Sequence, residues 1–125
     1  MNEDEWLDGL RHLSNDQILK VHFELQDKIK KHYKLREKGN NLEKAVNLCV
    51  QQIALAPLAI KALKSAHNKR VADYSEHIKK PHPDPYFTAP SHHGYRQYII
   101  ILRRKKDFDT LRKLELKRKS EGWAD

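Results

Sequence analysis

Gly39-Asn40-Asn41-Leu42-Glu43-Lys44-Ala45 separates two apolar-striped runs, and its reading decides the fold. Glycine and asparagine accept the left-handed backbone common just past a helix end, and Leu42 opens the next stripe. Upstream, Ile18, Val21, Leu25, Ile29 and Tyr33 recur at spacings of three and four, which predicts an amphipathic helix over about 15–38. Lys28, Lys30, Lys31, Lys34, Arg36 and Lys38 crowd its second half, where cations suit the negative end of the helix dipole. Downstream, Leu42, Ala45, Val46, Cys49, Ile53 and Ala56 line one face of a helix over about 42–56. Cys49 lies on that stripe and reads as a small buried hydrophobe rather than a reactive thiol.

Working outward, residues 2–13 form a short helix with Trp6, Leu7, Leu10 and Leu13 on one side, weakened by Gly9. Ser14 or Asn15 caps the helix that follows, with Asp16 and Gln17 in its first turn. Pro57 suits the first position of a new helix over 58–79, with Ile60, Leu63, His67, Val71, Tyr74 and Ile78 on one face. Alanines 59, 62, 66 and 72 allow a neighbour to approach it closely. Pro81, Pro83, Pro85 and Pro90 then exclude both helix interior and central strand, leaving a loop over 80–90 anchored by Tyr86 and Phe87. Ser91 caps a fifth helix carrying Tyr95, Tyr98, Ile99 and Leu102. After a turn at Lys106-Asp107, a sixth helix over about 109–120 turns Leu111 and Leu114 inward. Gly122 ends it, and Trp123 folds back onto the last hairpin. No strand is required anywhere.

The 125 residues make one domain, all-α, of five to six helices. Its parts are a short helix or extension over 1–14, a helix pair over 15–57, a central helix over 58–79, a loop over 80–90 and a second pair over 91–123. The net charge of +8 is uneven. Glu3, Asp4, Glu5, Asp8 and Asp16 against Arg11 give residues 1–17 a balance of −4, whereas ten cations against Asp107, Asp109 and Glu115 give residues 96–119 a balance of +7. Such polarity steers acidic partners to the C-terminal third. The lone Cys49 forms no internal disulfide, the N-terminus lacks the pattern of a secretory signal, and no unbroken apolar run approaches the ~18 residues of a membrane span. The expected setting is cytoplasmic, with no membrane partner.

Residues 29–57 resemble a tetratricopeptide repeat: Asn40-Asn41-Leu42-Glu43-Lys44-Ala45 matches the family's turn, and Pro57 falls where the repeat closes. Residues 95–123 resemble a poorer copy. Tyr95, Tyr98 and Leu102 occupy the large positions of its first helix, and Lys106-Asp107-Phe108-Asp109 matches the turn. There Leu111 replaces the alanine, Arg118 stands in place of a small residue, and Gly122-Trp123 replaces the closing proline. Leu42 and Phe108 are 66 residues apart, about twice the roughly 34-residue period. The prolines break the slot between them, so the resemblance implies TPR-like helical hairpins with an irregular proline-rich central loop. It implies a non-enzymatic protein-interaction or adaptor module.

On this reading a groove between the helices at about 15–38, 58–79 and 91–104 accepts a peptide, helix or acidic partner surface. Lys31, Lys34, Arg96, Arg103 and Arg104 make the charge contacts, and Tyr95 and Tyr98 form an aromatic floor. In the alternative, Arg103, Arg104, Lys105, Lys106, Arg112, Lys113, Lys117, Arg118 and Lys119 hold nucleic-acid phosphates with a steep salt dependence, although no helix-turn-helix, zinc-finger or RNA-binding motif accompanies them. A third reading is an architectural subunit that dimerises, because about three hairpins are needed to cover one another. His67, His77, His82, His92 and His93 lack the four-residue spacing of helical metal ligands. His67 instead reads as a core histidine with its polar atoms satisfied, and His92 or His93 as fixing the junction beside the proline loop. No phosphate loop, nucleophile elbow or paired-carboxylate pattern is visible, so neither catalytic residues nor a cofactor are expected.

Overall fold

The structure, a computed structural model, describes residues 3–125. The chain is all-helical, with α1 at Glu3–Leu10, α2 at Asn15–Lys34, α3 at Asn41–Ile78, α4 at His93–Arg104 and α5 at Phe108–Glu121. Among the described residues there is no strand; a single isolated bridge joins Ser91 and Ala124. Met1 and Asn2, where the first helix and segment were expected to begin, lie outside the described residues.

Ser14 starts α2 with a capping box. Its Oγ accepts the Gln17 N–H at 3.2 Å, and Gln17 Oε1 accepts the Ser14 N–H at 2.9 Å. The helix ends at Lys34, short of the expected 38, and Gly39 turns the chain at φ +54°. His32 Nδ1–H then donates to Asn41 Oδ1 at 2.8 Å across the turn, fixing α2 antiparallel to α3. Trp6, Leu7, Leu10 and Leu13 pack against a cluster of Ile18, Leu25, Leu55 and Ala62, so α1 covers one end of this pair.

Two expected helices are one. The divisions at 57 and 58 do not exist: α3 runs unbroken for 38 residues with Pro57 inside it. A proline costs a helix about 3 kcal/mol through a missing N–H and a clash with the carbonyl four residues back. Pro57 is exposed, while the chain on either side is fixed by buried Gln52, Ile53, Leu55, Ala56, Ala59 and Ala62. That packing outweighs the proline's local preference. By length and composition α3 could cross a membrane, with mean hydropathy 1.5 over an 18-residue stretch of which 44% is buried inside the fold.

Residues 79–92 belong to no helix. They return along the far half of α3. The His82 ring lies 5.0 Å from Tyr74 and 6.1 Å from His67, and Phe87 lies 5.9 Å from His67. Tyr86 anchors nothing, being 82% exposed. His67 Nε2 is buried without a hydrogen-bond partner, against the expectation that its polar atoms are satisfied.

The chain re-enters the core at His92. Not Ser91 but His92 caps α4, its Nδ1 accepting the Tyr95 N–H at 3.1 Å; Ser91 Oγ donates instead to the Asp125 carbonyl at 2.6 Å. At its start α4 lies beside Gln52 and His22. At its end the Arg104 guanidinium reaches Tyr33 Oη at 2.9 Å. So α4 runs parallel to α2 and antiparallel to α3. Asp107 caps α5, Ile99, Leu102 and Leu111 form its interface with α4, and Gly122 ends it at φ +92°. Trp123 folds back to 3% exposure against Ile53, Ala56, Ala59 and Tyr95.

Candidate functional site

Two polar constellations stand out, one inside the fold and one on its surface. The inner one is centred on Gln52. Its Nε2 donates to the His22 carbonyl at 3.1 Å, its Oε1 accepts the Gly94 N–H at 2.8 Å, and its own carbonyl accepts His92 Nε2–H at 3.1 Å. Because His92 Nδ1 already accepts from Tyr95, the ring is the neutral Nε2–H tautomer with both nitrogens used. Trp123 lies 4.8 Å from the His92 ring and stacks at 6.1 Å on His22. Burial pushes His22 down to about 4. Burial, with the nearby His22 adding to it, pushes His92 down to about 3. Both rings are buried, and both nitrogens of His92 are spent on hydrogen bonds to the backbone. Cys49, fully buried beside them, has its thiol pushed up to about 12 and supplies no thiolate near neutrality.

The outer constellation lies where the ends of α2 and α4 meet the start of α3. Arg104 Nη1 donates to Tyr33 Oη at 2.9 Å. Arg36 lies 4.6 Å over the Tyr33 ring and donates to the Tyr33 carbonyl at 3.1 Å. A cleft of about 240 Å³ opens between them, lined by Tyr33, Arg36, Glu37, Leu42, Ile101, Arg104 and Lys105. Leu42 and Ile101 supply an apolar floor; Arg36, Arg104 and Lys105 supply the rim. Further along α4, Arg96, Ile99, Ile100 and Arg103 line a second hollow of about 490 Å³ facing Glu115 and Asp125 on the α5 side. Lys30 on α2 and Arg96 both hold His93 below the usual histidine range, after burial, the larger cause.

The proposed contact residues divide accordingly. Arg96, Arg103 and Arg104 are exposed on α4, Arg104 toward the α2 cleft and Arg96 and Arg103 toward the hollow on the α5 side. Lys31 and Lys34 are exposed on α2, but Lys30, a turn-third away, is the lysine that faces α4. Tyr95 is a correction: it is wholly buried, with Oη donating to Glu121 at 2.7 Å, so it floors no groove. Tyr98 is half-buried between the packed helices. The cleft at Tyr33 uses the first turn of α3 at Leu42, whereas Ile60, Lys61 and Lys64 of the 58–79 segment line a separate hollow with Phe87, Ala89, Glu121 and Gly122. Among the cations offered to nucleic acid, Arg118 is 6% exposed and ties the C-terminus down, donating to the Trp123 carbonyl at 2.8 Å and pairing with Asp125 at 2.5 Å. Lys105, Lys106, Arg112, Lys113, Lys117 and Lys119 are exposed, with Arg112 paired to Asp109.

No family model matches the chain, and neither a curated protein nor a solved structure matches it. Sequence reasoning missed Tyr33 and Arg36 as site residues because Tyr33 was assigned to the core stripe of α2 and Arg36 to the end of a helix that stops before it. The missed buried group, His22 and Gln52, was within reach: each falls a helical turn from stripe residues (Ile18 and Leu25, Cys49 and Ala56).

Proposed function

We propose that this chain is a non-enzymatic interaction module that binds an acidic protein surface or peptide along α4 and its border with α2. The observation that carries the reading is the meeting of Arg36 and Arg104 on Tyr33, at the rim of an apolar cleft. Guanidinium groups present planar forks suited to carboxylates, and each of these spends only part of its donors on Tyr33. Among the described residues no cation of α4 is held in an ion pair.

The layout supports the tetratricopeptide-like part of the proposal. The hairpins α2–α3 and α4–α5 stack with their first helices parallel, and the far half of α3 with residues 79–92 makes an out-and-back excursion between them. The 66-residue offset is then one repeat step plus that excursion. A second reading, nucleic-acid binding, rests on the exposed Arg112, Lys113, Lys117 and Lys119 of α5, which surround the helix rather than form one stripe.

The test is fluorescence anisotropy of a labelled glutamate-rich peptide, and of DNA and RNA oligonucleotides, across a salt series. Peptide binding that survives physiological salt and is lost in an Arg36→Glu/Arg104→Glu variant is the expected result. Peptide binding unchanged by the double reversal overturns the reading. Nucleic-acid binding at physiological salt with a log–log slope of about −4 or steeper promotes the second reading.

A further inference from the structure

We infer that the cleft between Tyr33, Leu42 and Ile101 is the seat of one large apolar side chain, a leucine or an aromatic, carried by an acidic segment of the partner. This deepens the proposed function and rests on it.

The size of the cleft points to a side chain. At about 240 Å³ it is smaller than the ~300–1,000 Å³ typical of small-molecule and cofactor pockets. Its floor offers no unmet polar atom. Tyr33 Oη is taken by Arg104, the Tyr33 carbonyl by Arg36, and Leu42 and Ile101 contribute carbon alone. An occupant with a polar tip gains nothing there and loses hydration, whereas an apolar one gains by leaving water.

The rim fixes the chemistry of the flanking residues. Arg36, Arg104 and Lys105 stand against one carboxylate, Glu37. Three helix ends also meet here. The C-termini of α2 and α4 bring partial negative charge and the N-terminus of α3 partial positive charge, about half a unit each. The side chains decide the sign, and it is positive. A segment bearing aspartate or glutamate within a helical turn of its anchor sets carboxylates against both guanidiniums while the anchor fills the floor. Anchored pairing of this kind concentrates binding energy in one buried residue, with the charges setting encounter and register.

The experiment uses the whole chain and two peptides of glutamate and alanine, one with a single central tryptophan and one with alanine in its place. Affinities come from titration, and the site from methyl resonances of the isotope-labelled protein. The tryptophan peptide is expected to bind roughly tenfold more tightly or better, to shift the Leu42 and Ile101 methyls first, and to lose that advantage in Leu42→Trp, which fills the cleft without changing charge. Equal affinity for the two peptides, or shifts centred on Ile100 with Leu42 and Ile101 unmoved, overturns the anchor while leaving the acidic-partner reading intact. Failure of both peptides to bind at low salt overturns both.

Discussion

The backbone carbonyl and the side chain of Gln52 together hold the N-terminus of α4: His92 Nε2–H donates to the carbonyl at 3.1 Å, and the side-chain oxygen accepts the Gly94 N–H at 2.8 Å. Since Gln52 also donates to the His22 carbonyl, one residue of α3 ties α2 and α4 together. Replacing Gln52 by leucine keeps the volume and strands the Gly94 N–H, which lies in the first turn of α4 and has no acceptor within the helix; the His22 carbonyl keeps its acceptor role inside α2. A stranded buried group costs about 1–3 kcal/mol. We expect Gln52→Leu to lower stability by about 1–3 kcal/mol, read as a shift of the urea midpoint at unchanged m-value. A loss under about 0.5 kcal/mol would mean that water reaches the Gly94 N–H.

Acid should unfold the protein through its buried histidines. His22 and His92 are depressed by burial to about 4 and about 3, from an ordinary value near 6.5. Between those limits the unfolded chain binds protons that the folded chain refuses, so stability is complete above about pH 6.5 and falls as pH drops through 6 and 5 toward 4. The loss amounts to a few kcal/mol. Urea titrations at pH 7 and pH 5 measure it, and His22→Asn should flatten the dependence. A midpoint indifferent to pH over this window is incompatible with neutral, enclosed rings.

Helix propensity and packing oppose each other at Gly94. Alanine is favoured over glycine in a helix by about 1 kcal/mol. A Cβ at residue 94 would lie 2.7 Å from Gln52 Oε1, 3.0 Å from His92 Cε1 and 3.3 Å from the Cys49 carbonyl. The first two partners are locked by their own hydrogen bonds, so they cannot yield without breaking the junction. Gly94→Ala is expected to destabilise by about 1–3 kcal/mol, measured by thermal or chemical denaturation. Stabilisation would show that α4 can back away from α3.

Pro57 presents the reverse case. It is exposed, it lies inside α3, and its ring removes no volume from the core. Pro57→Ala restores an N–H facing the Ile53 carbonyl and relieves the proline's clash with it. The expected gain is about 1–3 kcal/mol, seen as a higher Tm. A lower Tm would assign Pro57 a part in shaping α3 around its neighbours.

Much of the fold was legible because local periodicity carries it. The stripes of α2, α4 and α5, the turn at Gly39 and the glycine stop at 122 follow from side-chain spacing and backbone preference alone. The surface cations of α4 were legible for the same reason. The start of α4 was not, because serine at 91 is the better cap by composition, yet His92 is placed by the carbonyl of Gln52, forty residues away.

What the sequence determined by itself is the helical class, the register of the apolar faces of α2, the first half of α3 and α4, and the basic character of the C-terminal third. These depend on interactions within a few turns of chain. In the second half of α3 the buried residues are Ala59 and Ala62, and Ile78 is exposed. Tertiary structure alone decided that Pro57 interrupts nothing, that Tyr95 and Arg118 are interior, and that Tyr33, Arg36, Leu42, Ile101 and Arg104 form one cleft. Each of these depends on how α4 lies along α2 and α3, and that is set by burial and by hydrogen bonds between residues far apart in the chain, where periodicity carries no information.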